Sequence, residues 1–385
     1  MKKKTTVTKK PVTKKRVTKK TAPIKKAPKS KAPKVKAPKM LIIGAIAVVV
    51  VAAVAIVAFR GGFGGGIGSV ISGSGGSSGS GSSGSRSGGG GSWIFADNPF
   101  EYWINAIVWG GDKFVAAGPG GDMAYSADGI KWTAIADNPF TNDTTIGAMS
   151  IAWGNNKFVA VGTHDKHIMY SPDGINWTAV ADSKLPKNRS LMAVAWGKDK
   201  FVAVGDEGRI VYSADGVSWT VVADSTFGNN YFDSRVEAIV YGSDRFVATG
   251  ARGKIAYSTD GIKWTAVADK PFDTNAIKSI AYGNGKFIIG GRGGAYSADG
   301  ISWTAIENPF GYIGGFGNIA WGGNRFIAGV GSYDDDSIML STDGINWTKM
   351  EINFGNSVSP KGFAYGNNKF VAVGSAEGKI KYWQP

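Results

Sequence analysis

The chain has 385 residues, a formal net charge of +15 and no cysteine. The absence of cysteine excludes disulfide bonds. Of the 44 basic residues, 17 lie in residues 1–39, whereas residues 40–385 carry 27 basic and 29 acidic residues. The high positive charge is therefore a property of the N-terminal tail and not of the rest of the chain.

Residues 1–39 are predicted to form a disordered tail. They contain no acidic residue, and Lys is interleaved with Thr, Val, Ala and Pro, a composition that cannot bury a core. Two partners remain open for this tail. Basic segments beside a membrane are attracted to anionic lipid, and they also bind nucleic acid or another polyanion by releasing counterions.

Residues 40–59 contain neither a charge nor a proline. A helix of this length rises roughly 30 Å, which matches the hydrocarbon thickness of a bilayer. The pattern predicts a single transmembrane signal-anchor helix, retained rather than cleaved as a signal peptide. The basic tail before it then places the N-terminus in the cytoplasm and the rest of the chain outside the cell membrane.

Residues 60–91 consist almost entirely of Gly and Ser. This composition is typical of a flexible linker with a mean reach of roughly 30 Å. The segment is predicted to tether the C-terminal part of the chain.

From residue 92 onward the sequence repeats. The pattern S-x-D-G-x-x-W occurs six times, and its tryptophans are 45, 42, 45, 39 and 44 residues apart. A second segment, a basic residue followed by Phe, occurs seven times, at Phe114, Phe158, Phe201, Phe246, Phe287, Phe326 and Phe370. A period in this range is typical of a solenoid or a propeller.

Each repeat is interpreted as four short strands. In the second copy, residues 150–153, 157–161, 168–171 and 177–180 are apolar runs separated by Gly, Asn and Asp. Such runs are typical of strands that are covered on both faces, and the intervening residues are those that tight hairpins need. The repeats therefore predict an all-β fold.

The Asp-Gly turn in each repeat is interpreted as structural. Its carboxylate can accept backbone N–H groups of the same turn, its glycine tolerates a positive φ, and its Trp packs between sheets. Six copies favour a repeated structural turn over six active sites. The aspartates concerned are Asp128, Asp173, Asp215, Asp260, Asp299 and Asp343.

The two ends of the repeat region complement each other. The last repeat, from Lys361 to Tyr382, supplies only three strands, while residues 92–100 resemble the fourth strand of the first repeat. Joining them closes a ring without open edges. Residues 92–385 are thus predicted to form one domain, a seven-bladed β-propeller of 42 residues per blade whose N-terminal strand closes the last blade.

The S-x-D-G-x-x-W turns resemble the Asp-box, or BNR (sialidase-type), repeats of β-propellers across residues 92–385. They are one residue shorter than the common S-x-D-x-G-x-x-W form. That family includes sialidases, other glycosidases, sorting receptors and a photosystem assembly factor, so the resemblance implies a fold and not one function. The sialidase arginine motif is absent near residues 92–103 and sialidases usually have six blades, which argues against sialidase activity.

Function is expected where the repeats differ, in the irregular loops at one face of the propeller. Recurring phenylalanines in these loops are interpreted as packing residues. The aromatic residues that do not repeat are better ligand candidates, namely Tyr102, Trp103, Tyr231, Phe232 and Tyr312.

A ring of residues is expected at the mouth of the central channel, where each innermost strand begins. Its aligned members are Asn105, Met149, Met192, Glu237, Lys278, Gly317 and Lys361. Asn105, Glu237, Lys278 and Lys361 are ligand-binding candidates. Glu237 and Lys278 lie on neighbouring blades and are expected to pair.

No metal ion, cofactor or catalytic residue is predicted. His164 and His167 form an H-x-x-H pair without a further ligand, and residues 334–336 form an acidic turn without the spacing of a calcium loop. Glycoside hydrolysis needs two carboxyl groups at a defined separation, and the channel mouth offers a single acid.

The sequence therefore predicts a monomeric, membrane-anchored binding module outside the cytoplasm, without enzymatic activity. Its partners would be a glycan or a protein at the variable-loop face, the membrane through residues 40–59, and anionic lipid or a polyanion at the tail. The alternatives are a cell-surface glycoside-acting enzyme, sialidase-like or another glycosidase, and an assembly scaffold for membrane proteins.

Overall fold

The computed structural model describes residues 91–140, 147–163, 168–181, 189–230, 233–272, 275–307, 315–330, 337–354, 360–374 and 378–384. Within these residues, twenty-eight strands form seven four-stranded antiparallel sheets. The sheets are the blades of a propeller. Strand β1 (Ser92–Phe95) comes first in the chain but belongs to the last blade.

Blades one to four follow in chain order, each from its innermost to its outermost strand. Blade one contains β2 (Ala106–Gly110), β3 (Lys113–Ala117), β4 (Met123–Ser126) and β5 (Thr133–Ala134). Blade two contains β6 (Ala148–Gly154), β7 (Lys157–Gly162), β8 (Ile168–Ser171) and β9 (Thr178–Ala179). Blade three contains β10 (Leu191–Gly197), β11 (Lys200–Gly205), β12 (Ile210–Ser213) and β13 (Thr220–Val221). Blade four contains β14 (Val236–Gly242), β15 (Arg245–Gly250), β16 (Ile255–Ser258) and β17 (Thr265–Ala266).

The remaining blades have the same order. Blade five contains β18 (Ser279–Gly283), β19 (Lys286–Gly290), β20 (Gly294–Ser297) and β21 (Thr304–Ile306). Blade six contains β22 (Phe316–Gly322), β23 (Arg325–Val330), β24 (Ser337–Ser341) and β25 (Thr348–Glu351). Blade seven contains β26 (Pro360–Gly366), β27 (Lys369–Gly374), β28 (Ile380–Gln384) and, outermost, β1. Two short 3-10 turns, Asp206–Gly208 and Ala251–Gly253, follow the second strands of blades three and four.

The ring closes because each innermost strand ends in glycine. The aromatic residue of the next blade packs directly on that glycine, where a methyl group would collide with the ring: Trp153 lies on Gly110, and the last contact, Trp109 on Gly366, joins blade seven to blade one. Behind each glycine, the Phe of the second strand is buried at the centre of its blade. The repeated Trp/Tyr-Gly and Lys/Arg-Phe pairs thus hold neighbouring blades together.

The predicted seven-bladed propeller and its closure by the N-terminal strand are confirmed. β1 pairs antiparallel with β28, and Trp93 lies opposite Trp383. Their rings meet edge to face at a centroid distance of 5.6 Å. This pairing covers the edge that β28 would otherwise expose.

The prediction that a transmembrane helix belongs to the fold is corrected. No helix in the portion of the chain that the structure describes is long and apolar enough to cross a membrane. Its strands are two to seven residues long. Residues 40–59 lie outside the described residues, as do the tail at residues 1–39 and the linker up to residue 90.

Candidate functional site

The propeller has two different faces. The first hairpins and the Asp-Gly turns lie together on one face, here called the tight-turn face. The opposite face, here called the variable face, carries the connections from the second to the third strand of each blade and from each blade to the next. The channel opens on the variable face where the innermost strands begin.

The channel mouth is a small cavity of about 90 Å³. At ~30 Å³ per water molecule, it has room for a few waters or for one side chain. The predicted ring is present with one correction, because Asn318 lines the cavity in place of Gly317. The lining includes Asn105, Met149, Met192, Glu237, Lys278, Asn318 and Lys361.

β-Bulges place most of these side chains at the mouth. The register of the first and second strands shifts at Met149, Met192, Glu237 and Lys361. In blade six the shift lies between Phe316 and Ile319, and Asn318 lines the mouth. A bulge leaves a residue outside the ladder and re-aims its side chain, which the alternation of apolar residues in the sequence does not reveal.

Glu237 pairs with Arg235 and not, as predicted, with Lys278. The Arg235 guanidinium lies 3.5 Å from the Glu237 carboxylate and 3.6 Å from the Asp206 carboxylate. Asp206 is buried and also accepts a hydrogen bond from the Ser190 backbone N–H at 2.9 Å. Sequence reasoning missed Arg235 because it precedes the strand, in a loop without a repeating counterpart.

Burial raises the pKa of Glu237, and the positive charges of Arg235 and Lys278 only partly oppose this effect. The carboxyl group therefore loses its proton less readily than an exposed Glu. Arg235 acts as the bridge that keeps two acidic groups of blades three and four in one cluster.

A second ionic cluster lies beside it on blade three. Glu207 contacts Arg189 at 2.9 Å and Arg209 at 3.6 Å. Glu207 belongs to the 3-10 turn Asp206–Gly208 and has a φ of 57°. The two clusters make this side of the variable face rich in charges that are paired with one another.

Next to Glu207 and Arg209 lies an open groove of about 590 Å³, here called the third-blade groove. It runs between the 3-10 turn and the outermost strand β13 with the loop that follows it. Val221 is 44% exposed at this groove. The corresponding residue of blades one, two, four and five is Ala, so blade three presents an extra apolar side chain here.

The loop that forms one wall of the third-blade groove is held in place by internal contacts. Phe227 is buried, and its carbonyl accepts a hydrogen bond from Lys254 Nζ at 2.7 Å. The Asn230 backbone N–H donates to Ser234 Oγ at 3.1 Å. Gly208 is required because a side chain would strike the Gly228 carbonyl. The groove is therefore preorganised.

The aromatic candidates divide into two groups. Tyr102 and Trp103 lie between β1 and β2, and their side chains are 46% and 45% exposed. Their rings meet edge to face with a centroid distance of 6.5 Å. Tyr231, Phe232 and Tyr312 lie outside the described residues. Of the recurring phenylalanines, Phe100 and Phe140 are buried, as expected for packing residues, Phe272 is half-buried, and Phe310 lies outside the described residues. Phe227 and Phe354, which do not recur, are also buried.

The six Asp-Gly turns share one set of hydrogen bonds. In the first, Asp128 Oδ1 accepts the backbone N–H groups of Ile130 and Lys131 at 2.8 and 2.9 Å and the Ser126 hydroxyl at 3.0 Å. Burial opposes ionisation, but these donors outweigh it and lower the pKa of the carboxyl group. The same direction holds for Asp173, Asp215, Asp260, Asp299 and Asp343.

In the described part of the chain, no three His, Asp or Glu side chains come together in a group that could hold a metal ion. His164, His167 and residues 334–336 lie outside it.

Comparison with known proteins shows the fold. YCF48 from Cyanidioschyzon merolae is 17% identical with a TM-score of 0.58, over 76% of this chain and 99% of that chain. YCF48 bound to D1 peptide is 14% identical with a TM-score of 0.59, over 76% and 97%. Virginiamycin B lyase from Staphylococcus aureus is 13% identical with a TM-score of 0.61, over 77% and 99%.

No protein-family model and no curated protein matches the chain. At these identities the solved structures establish the architecture alone. The chain has the fold of a seven-bladed β-propeller, similar to those of YCF48 and virginiamycin B lyase.

Proposed function

We propose that the protein is a binding module that captures an extended segment of a protein partner on its variable face. The third-blade groove is the seat of this binding. The observation that carries the proposal is the preorganised groove itself, which combines an apolar Val221 with the paired charges of Glu207 and Arg209.

The chemistry of the groove suits a peptide. Val221 offers apolar contact to a side chain, while Asp224 and Asn229 line the same groove with polar groups. β13 is the edge strand of its sheet, and an edge strand can take up the backbone of an extended peptide. A groove that is already formed loses little conformational entropy on binding.

A propeller of this fold has been solved with a peptide, namely YCF48 with D1 peptide. This supports peptide binding by the fold, but not a particular ligand for this chain. The Asp-Gly turns support assignment to the Asp-box family, and we propose that membership as well.

The exposed pair Tyr102 and Trp103 favours a second candidate ligand, a glycan, because aromatic rings pack against the apolar faces of sugars. We propose binding without catalysis in either case. Among the described groups near the mouth, Asp206 and Glu237 both pair with Arg235, and such pairing suits recognition better than proton transfer.

The test uses a library of random peptides and a glycan array, both probed with the full chain. Val221→Arg places a long charged side chain in the third-blade groove and is expected to reduce binding of selected peptides at least tenfold. Ala266→Arg is the matched control, since Ala266 is the exposed counterpart of Val221 in blade four. It should leave peptide binding unchanged.

Peptides that bind the Val221→Arg and unmodified chains equally would refute the third-blade groove as the site. Selection of glycans alone, with loss of binding in Trp103→Ala, would replace the peptide with a sugar ligand.

A further inference from the structure

Each Asp-Gly turn packs against the second strand of the preceding blade. A methyl group built on Gly129 of blade one would lie 2.7 Å from Val371 of blade seven. The same relation recurs in all six turns, with the pairs Gly174–Val115, Gly216–Val159, Gly261–Val202, Gly300–Val247 and Gly344–Ile288. A tight turn with glycine at its tip thus covers a gap between two blades on the tight-turn face.

In four of the six turns the aspartate residue also lies near a base of the preceding blade. Lys369, Lys200 and Arg245 are among the positive charges that favour the ionised forms of Asp128, Asp260 and Asp299. Lys157 makes a direct contact, because its Nζ donates to the Asp215 carbonyl at 2.7 Å. The base in each case is the first residue of a second strand.

Blade seven has no such turn. Its third strand β28 and its outermost strand β1 come from distant parts of the chain, so no tight turn joins them. Trp93 nevertheless occupies the position of a turn tryptophan. The residue after it, Ile94, pairs with Tyr382, just as Thr133, the residue after Trp132, pairs with Tyr125 in blade one. The tryptophan is kept while the Asp-Gly tip is missing.

A groove of about 130 Å³ lies at this position, between blades six and seven, and is here called the six–seven groove. Ile327 lines it and corresponds to Val371 and the other residues that the glycines cover. Phe370, also in its wall, is 5% exposed, whereas the other six strand phenylalanines are 0% exposed. Ile327 itself is 0% exposed, so Phe370 is the strand residue of this wall that stays slightly open where the turn is missing.

Two polar groups of the six–seven groove differ from most of their counterparts. Arg325 is the exposed first residue of β23, whereas the equivalent bases of the other blades are half-buried. The Trp93 Nε1–H is buried without a hydrogen-bond partner among the described residues. In five intact turns this donor reaches the glycine carbonyl, as from Trp132 to Gly129 at 3.2 Å; the sixth tryptophan, Trp303, also lacks a partner.

We propose that the six–seven groove binds an acidic Asp-Gly turn of a partner protein. The partner's carboxylate would pair with Arg325, its glycine would pack beside Phe370, and its glycine carbonyl would accept the Trp93 Nε1–H. Charge complementarity selects this occupant, since Arg325 is the counterpart of Lys369, Lys200 and Arg245, which lie near turn aspartates. The site is on the opposite face from the third-blade groove and does not depend on it.

The competing occupant is the linker of the same chain. The run from Ser87 to Trp93, S-G-G-G-G-S-W, has Ser and Gly at the spacing of the turn pattern but Gly in place of Asp. It therefore has no carboxylate for Arg325. A partner turn with an aspartate would pair with the Arg325 guanidinium, which the linker cannot do.

The test uses a cyclic peptide that contains Ser-Ala-Asp-Gly-Ile-Lys, the turn of blade one. It is titrated into the full chain with ¹⁵N-labelled indole groups, and the Trp93 signal among the 13 tryptophans is identified by its loss in Trp93→Phe. We expect a saturable shift of that signal. A peptide with Asn in place of Asp should bind about tenfold more weakly, because a charge-assisted bond is replaced by a neutral one.

Variants of the chain test the pairing. Arg325→Gln should lower the affinity for the aspartate peptide about tenfold, and Arg325→Lys should retain most of that affinity. Arg245→Gln is the matched control, since Arg245 already faces Asp299, and should leave peptide binding unchanged. Melting curves of all variants establish that the propeller remains folded.

Three results would overturn the proposal. One is the absence of a saturable Trp93 shift, and another is equal affinity of the aspartate peptide for the Arg325→Gln and unmodified chains. The third is peptide binding only after residues 87–90 are deleted, which would identify the linker as the occupant.

Discussion

Replacement of Asp215 by Asn tests whether the charge of the turn carboxylate stabilises the propeller. Asp215 Oδ1 accepts the backbone N–H groups of Val217 and Ser218 at 2.8 and 2.7 Å. Burial raises the pKa of this carboxyl group, but those N–H groups and the Ser213 hydroxyl outweigh burial and lower it to about 2. Asn preserves the shape and the acceptor, so Asp215→Asn removes mainly the charge.

The expected loss of stability in Asp215→Asn follows from the lowered pKa of Asp215. A change from 3.8 to about 2 would nominally correspond to roughly 2.5 kcal/mol at 1.4 kcal/mol per unit. The side chain is exposed, and solvent screening reduces such a value to about 1 kcal/mol. This corresponds to a Tm decrease of about 2–4 °C in a domain of this size. Asp215→Ala also removes the acceptor and should cost about 2 kcal/mol.

The stabilisation by the Asp215 carboxylate should decrease as the pH is lowered. Because the folded-state pKa is lower than the unfolded-state pKa, the stabilisation is complete above about pH 4 and is lost as the pH falls towards 2. Thermal melts of both chains at pH 6 and pH 2 should therefore show a Tm difference at pH 6 that is much smaller at pH 2. Asp137→Asn, the same change at an exposed carboxylate, is the matched control and should shift Tm by less than about 1 °C. A Tm difference that is the same at both pH values would refute a charge-based role.

Three further predictions concern closure, the turn glycine and the channel mouth. Deletion of Ser92–Phe95 should expose the edge of β28 and cause aggregation in size-exclusion chromatography; a monomer with an unchanged Tm would contradict it. Gly216→Ala should lower the free energy of unfolding by about 1–3 kcal/mol, because its φ is +75° and the new methyl group would lie 2.9 Å from a neighbouring Val. Gly285→Ala, with a φ of +72° and no atom within 4 Å, should cost about 1 kcal/mol, and equal losses in denaturant titrations would refute the clash. Arg235→Gln should raise the pKa of Glu237 further, measured by ¹³C NMR of its carboxyl carbon, and an unchanged value would show that Arg235 does not compensate for burial.

The regular part of the fold could be predicted because its signals are local. A Ser, an Asp and a Gly at fixed spacing form a tight turn through hydrogen bonds within six residues, as Asp128 shows. The spacing of these turns and of the Lys/Arg-Phe segments then determines the number of blades. Closure was also predictable, since Trp93 repeats the turn tryptophan without the Asp-Gly pair of the pattern before it.

The candidate site was only partly predictable. Four of its ring positions, Asn105, Glu237, Lys278 and Lys361, line the mouth as expected, because strand starts align from blade to blade. The third-blade groove was not anticipated. The sequence did contain a signal for this groove, because Val221 stands where blades one, two, four and five have Ala. The depth of the groove, however, depends on a loop anchored by the buried Phe227.

The sequence by itself determined the strands, the turns, the number of blades and the closing strand, because each depends on residues that are neighbours in the chain or on their period. The tertiary structure decided which residues meet across blades. The register shift of blade six lies between Phe316 and Ile319, and Asn318 lines the mouth where Gly317 was expected. Glu237 pairs with Arg235 and not with Lys278. The six–seven groove likewise exists only because β28 and β1 meet without a connecting turn. Such contacts join residues distant in the chain, and their geometry follows from the packing of whole blades.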